Sequence, residues 1–168
     1  NRFPYSQTLR NFGNYARNSV KVVIDAYTGF MDFYISDPKD PIIQTYRAIF
    51  PELFKDINAM PEDLRKHIRY PSDLFTIQTF IYATYHMKTP QAFYNKEDQW
   101  EVPEIDNRSM EPYYTIMKLP GKEHEEYVQI LPFTPRGKSN LSAWMAARSD
   151  EDHYGKLQVY TFPKQRLV

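Results

Sequence analysis

An α+β fold is expected from three features of the sequence. A glycine-ended break joins two alternating strands near the N terminus. A middle stretch holds proline-started helical segments. A C-terminal part is built of β-branched and aromatic runs separated by turn residues. Together these give an N-terminal β-hairpin, a helical middle segment and a C-terminal antiparallel β-meander in a single domain, residues 1–168.

The hairpin comes first. "VKVVIDAY" (residues 20–27) and "FMDFYIS" (30–36) flank Thr28-Gly29, and glycine supplies the positive φ that a tight hairpin loop demands. Taking those two residues as the loop pairs Tyr27 with Phe30, Ala26 with Met31, Ile24 with Phe33 and Val22 with Ile35. One face is then apolar, as a believable register requires. The other face sets Asp25 opposite Asp32. Two carboxylates about 5 Å apart at an effective dielectric of about 20 repel by roughly 3 kcal/mol. A favourable cross-strand pair contributes only about 0.2–1 kcal/mol. The pair must therefore splay into solvent, meet a cation or share a proton, which makes Asp25 and Asp32 candidate binding residues.

Helical signals follow. Asp40 is placed to cap, with Pro41 as the first helical residue before Ile42, Ile43, Tyr46, Ile49 and Phe50, until Pro51 interrupts. "MPEDLRKHI" repeats the design, with acids in its first turn and cations late, both favourable to the helix dipole. The longest helix is expected from near Pro71 through "SDLFTIQTFIYATYHM", with Leu74, Ile77, Ile81 and Tyr85 as its core-facing stripe. After Pro90, "QWEVP", "YYTIMKL", "EYVQILPF" and "KLQVYTF" read as strands. "LSAWMAAR" has helix-favouring composition, and we read it as a strand because the meander then closes naturally.

Composition narrows the function. Among 168 residues, 21 Lys+Arg balance 21 Asp+Glu, which argues against a nucleic-acid partner, since such binding needs a surplus of cations facing phosphates. Cysteine is absent, so disulfides and thiolate metal sites are excluded. No run reaches the roughly 20 apolar residues of a spanning helix. The start at Asn1, inside polar and aromatic sequence, leads us to expect a soluble piece excised from a longer protein.

Several segments resemble uncharacterised protein family 0182, a set of large prokaryotic membrane proteins. They are "RNSVKVVIDAYTG", "DPKDPI", "MPEDLRKHIRYPSDLF", "FYNKEDQWEVP", "LPFTPRGKSNLSAWMAARSDEDHYGK" and "LQVYTFPK". The resemblance implies a parent with several membrane-spanning helices and a long soluble portion outside the cytoplasm. It carries over no catalytic residue.

Candidate chemistry is sparse. "SDEDHYG" (149–155) places Asp150, Glu151 and His153 in four positions. A calcium-type loop would add a later bidentate acid, which is missing. Ser149, Asp150 and Asp152 suit backbone bonding in a turn, and Gly155 suits positive φ. We read a structural turn, and His153, with Asp150 and Glu151, as the first catalytic candidate should the protein be an enzyme. "PRGKSN" carries the tail of a phosphate-binding loop, but Pro132 stands where that motif needs its first glycine. His67, His86 and His124 lack a second histidine at ligand spacing. Trp100 and Trp144 are the first aromatic candidates for sugar or protein contacts.

The functional expectation is a non-enzymatic extracytoplasmic module of a multi-pass cell-membrane protein, serving assembly or partner and ligand contacts. It would be tied to the membrane through parent segments, take a protein or glycan partner, and use no cofactor or metal. The alternatives are a hydrolase-type enzyme using the acidic–histidine turn, and an envelope-glycan binding module.

Overall fold

In this computed structural model, which describes residues 4–5, 13, 15–150 and 153–163, the contacts of the chain gather into two units, Asn1–His67 and Ile68–Val168. Helices and strands both build the fold, and the C-terminal sheet is antiparallel, so it is α+β as expected.

The first unit opens with β1 (Val20–Ile24) and β2 (Met31–Ile35), antiparallel, but in a register two residues from the expected one. Ile24 pairs with Met31, Val22 with Phe33, and Val23, not Asp25, faces Asp32. The reason lies in the loop. The Asp25 N–H donates to the Phe30 carbonyl, the Gly29 N–H donates to the Asp25 carbonyl, and Gly29 takes φ 71°. The Asp25 carboxylate accepts the Tyr27 and Thr28 N–H groups at 2.9 and 2.8 Å. A four-residue loop folded around a carboxylate thus replaces the two-residue turn, which would have forced β-branched Thr28 to a strained positive φ. A shift of two keeps the period-two face intact.

A crossover then returns the chain to the sheet. The helix α1 (Pro41–Ile49) is capped by Asp40, which accepts the Ile42 N–H at 3.1 Å with Pro41 in the first turn. After it, β3 (Phe54–Asp56) lies parallel to β2. Parallel neighbours need such a crossover, and the sequence reading missed this short strand. A 3₁₀ turn (Ile57–Ala59) and α2 (Glu62–Arg65) end the unit. Its small core holds Tyr34, Ile35, Ile43 and Met60.

In the second unit come α3 (Ser72–Tyr85), α4 (Pro90–Asn95), the short strands β4 (Trp100–Glu101), β5 (Glu104–Ile105) and β6 (Arg108–Ser109), then β7 (Tyr113–Lys118), β8 (Glu125–Pro135), β9 (Ala143–Arg148) and β10 (Leu157–Thr161). The last three form a meander, so "LSAWMAAR" is indeed a strand. On β8's other edge, β7 and β4 pair in turn. The helix α4 falls where only strands were expected. Thr89 caps it with Pro90 in the first turn, so that proline starts a helix rather than ending one.

The helix α3 packs on one sheet face by a stripe that keeps Leu74 of the expected one but differs beyond it. Phe75, Thr79 and Ala83 are buried, at spacing i, i+4, i+8, against Leu131, Phe133, Ala143 and Met145, whereas Ile81 and Tyr85 are exposed. Apolar residues surround this helix, so periodicity alone does not say which side meets the sheet. On the opposite sheet face, Val128, Ala146 and Leu119 are buried beside Trp144 and Tyr160. The Arg148 guanidinium grips both Glu126 carboxylate oxygens there, and both residues are buried.

Phe75→Ala should lower unfolding stability by about 3–5 kcal/mol, through lost burial and a residual cavity. Phe80→Ala, one helix face away and 57% exposed, should change it by no more than about 0.5 kcal/mol. Urea titrations of both variants check the assignment, and the reverse ranking would refute it.

Candidate functional site

The acidic–histidine turn is built by the backbone around it. Between β9 and β10, Arg148 and Lys156 still pair (Arg148 N–H to Lys156 C=O, 3.0 Å), while Ser149 N–H reaches back to the Tyr127 carbonyl of β8. Asp150 accepts the Tyr127 N–H at 3.3 Å, tethering the turn to β8. The His153 N–H donates to the Asp150 carbonyl, and Gly155 takes φ 77°. His153 Nδ1 lies 3.3 Å from Lys156 Nζ. An ammonium only donates, so Nδ1 is the acceptor in this contact. Among the described residues no carboxylate bonds to this ring, as the orienting partner of a general base would. Glu151 lies outside the described residues.

The carboxylates of the first unit are each engaged separately. Asp25 serves its loop, and hydrogen bonds from Thr28 and then Tyr27 hold it below the usual aspartate range. Asp32 pairs with Lys55 at 2.6 Å and accepts the Tyr34 hydroxyl at 3.3 Å. Asp40 is buried, and the Ser19 hydroxyl first, then the Ile42 N–H and Tyr15 hydroxyl, stabilise its charged form. Among the described residues no three His, Asp or Glu side chains converge to hold a metal ion.

The tryptophans differ from each other. Trp100 is 7% exposed and stacks on His86 at 3.7 Å within a cluster with Tyr82 and Phe133. It offers no open ring. Trp144 is half-buried and stacks on Tyr160 at 4.4 Å. The "GKS" stretch is the exposed β8–β9 connection, where the Gly137 N–H donates to Glu101 at 2.8 Å. Its flanking strands are antiparallel, so no phosphate-cradling strand-to-helix turn exists there.

A cleft of about 430 Å³ opens at the amino end of α3, between Ser72, Thr76, Phe80, Met110 and Glu111. Behind it Gln129 donates to the Ser72 hydroxyl, and the Tyr114 hydroxyl donates to the Tyr70 carbonyl. This network fixes the start of α3, and the bonds of the Ser72 hydroxyl among the described residues go to Tyr114 and Gln129.

What stands out is apolar surface. On α1 only Ile43 is buried, whereas Ile42, Tyr46, Ile49, Phe50 and the following Leu53 are 45–59% exposed. Their spacing, i, i+4, i+7, i+8, is that of a helix face meant to be covered. On α3, Phe80, Ile81 and Tyr85 do the same. At the hairpin tip Tyr27, Phe30, Met31 and Ile24 are also exposed. Sequence reading named these α1 residues without saying whether they are covered, because periodicity reveals an apolar face and not what lies against it.

One cation is unusual. Burial pushes the Lys21 ammonium down to about 8, while Asn18 accepts from it at 2.8 Å. The folded value lies below the unfolded one near 10.5. The unfolded chain therefore holds the extra proton between the two, and stability rises as pH climbs through that window. Lys21→Met should be more stable than the parent at about pH 7, with the gap closing by about pH 10. Urea midpoints across this range check it, and a gap independent of pH would contradict it.

The profile of the family described as "Uncharacterised protein family (UPF0182)" matches residues 1–168. A UPF0182 protein of Pelotomaculum thermopropionicum is 60% identical over 99% of this chain and 19% of its own length. Those of Pelobacter propionicus and Geobacter sulfurreducens are 58% and 56% identical, with the same coverage. The chain thus spans about a fifth of the length of the curated relatives it matches. No solved structure matches it.

Proposed function

Because the chain belongs to the uncharacterised protein family UPF0182, we propose that it is a non-enzymatic module of a larger cell-membrane protein, lying outside the cytoplasm and working through assembly contacts. The observation that carries this reading is the uncovered face of α1. Ile42, Tyr46, Ile49 and Phe50 form one continuous stripe on a well-capped helix, each about half exposed. Large contiguous apolar patches on a folded surface mark sites of association. At about 25 cal/mol per Å² of apolar surface removed from water, covering such side chains supplies a strong drive for docking.

The relatives' length supports the same view, since about four-fifths of each lies beyond the matched stretch. Among the described residues no helix is long and apolar enough to cross a membrane. In this reading, attachment to the membrane belongs to other segments of the polypeptide, and this stretch supplies surfaces on which the assembly closes. The candidate catalytic groups fit the same picture, because Asp25, Asp32, Asp150 and His153 each hold local structure.

The stretch has no cysteine, which makes a reporter experiment direct. In the full-length polypeptide without other cysteines, Tyr46→Cys and Ile49→Cys should react with a maleimide at least about tenfold more slowly than Lys39→Cys, because burial removes thiol access. The protein should also fractionate with membranes. Equal labelling at the three positions would refute the assembly role, and recovery in the soluble fraction would refute the membrane setting.

A further inference from the structure

We propose that the outer edge of β10 pairs with an extended strand supplied by the same polypeptide outside these 168 residues, so that the five-stranded sheet continues. The strand order ends at β10, which pairs with β9 on one side, and among the described residues no strand pairs with the other. The ladder says which groups wait there. Arg148 N–H bonds to the Lys156 carbonyl and Phe162 N–H to the Ser142 carbonyl, so even-numbered residues face β9. By the alternation of antiparallel pairing, the N–H and C=O groups of Leu157, Val159 and Thr161 point outward.

An open edge is hazardous, and natural proteins blunt it with charges, prolines or bulges. The opposite side of this sheet has such devices. There β7 ends in Lys118 and follows Pro112, and β4 carries Glu101. Leu157–Thr161, "LQVYT", has none within its span, Lys156 and Pro163 lying outside it. The strand is also held rigidly in place. Leu157 and Val159 pack into the main core, and Tyr160 stacks on Trp144. A fixed, uncharged, unprotected edge has the properties of a pairing template.

The occupant follows from size. Five residues of edge bury far less than the roughly 1,200–2,000 Å² of a stable interface between separate molecules. A strand tethered in the same chain instead meets the edge at an effective concentration of about millimolar. The curated relatives have about four-fifths of their length outside the matched stretch from which to supply it. The chemistry of the edge describes that strand. It alternates, with apolar side chains beside Leu157 and Val159, and polar or aromatic ones beside Gln158 and Tyr160. The inference shares with the proposed function only the premise of a longer polypeptide, and it involves none of the apolar helix faces.

The test is residue-resolved hydrogen exchange on the full-length protein, joined to photo-crosslinking from benzoylphenylalanine placed at Gln158. The amides of Leu157, Val159 and Thr161 should be protected to within about tenfold of those of Gln158 and Tyr160, as paired strands are. That protection should be unchanged on dilution, and the crosslinked peptide should come from outside the 168 residues. Odd-numbered amides exchanging more than about a hundredfold faster than their neighbours would overturn the proposal. So would protection that fades on dilution, or a crosslink confined to this stretch, its own or a second copy's.

Discussion

The second unit depends on β8. This eleven-residue strand takes β9 along one edge and, on the other, β7 and then β4. It also supplies Leu131 and Phe133 to the core under α3, and Val128 and Glu126 to the opposite face. A proline in so central a strand is normally forbidden, because it cannot donate to the ladder. The position of Pro132 resolves this. Even-numbered residues of β8 face the β7 and β4 edge, and pairing there stops at Ile130 and resumes at Thr134. Pro132 falls in the gap, where no partner asks for its missing N–H. The site of the handover between two partner strands is therefore written into one residue.

Among the described residues around that strand, the buried charges, Arg148 and Glu126, are matched to each other. Arg148 and Glu126 meet in bidentate geometry on the sheet face that holds Val128 and Ala146. Removing one partner of such a pair leaves an uncompensated charge, a loss of about 3–5 kcal/mol. In the first unit Asp40 plays a comparable part, at once the cap of α1 and the acceptor for Ser19 and Tyr15. These groups are occupied by structure. Large apolar side chains are exposed on α1, on α3 and at the hairpin tip.

Much of this was legible in the residues, and the misses have physical causes. Asp40-Pro41 announced α1, because a capping carboxylate followed by a proline is a local signal. The family resemblance rested on many separated segments, and the whole chain matches. The hairpin register was misread because the Asp25 carboxylate organises its loop, an interaction that strand alternation does not report. The stripe of α3 was misread because that helix is apolar on several sides, so the choice between Phe75 and Ile81 was made by the sheet. For the same reason the open face of α1 could not be told from core. Asp25 and Asp32 looked paired only in the wrong register, and Trp100 looked like a platform until packing closed over it.

The most direct measurement is an experimental structure of a full-length UPF0182 protein, read at the positions of Ile42, Tyr46, Ile49 and Phe50. The account predicts that other segments of the polypeptide, or an assembly partner, cover these side chains and remove them from water. Finding the same four side chains facing open solvent in the intact protein would contradict it.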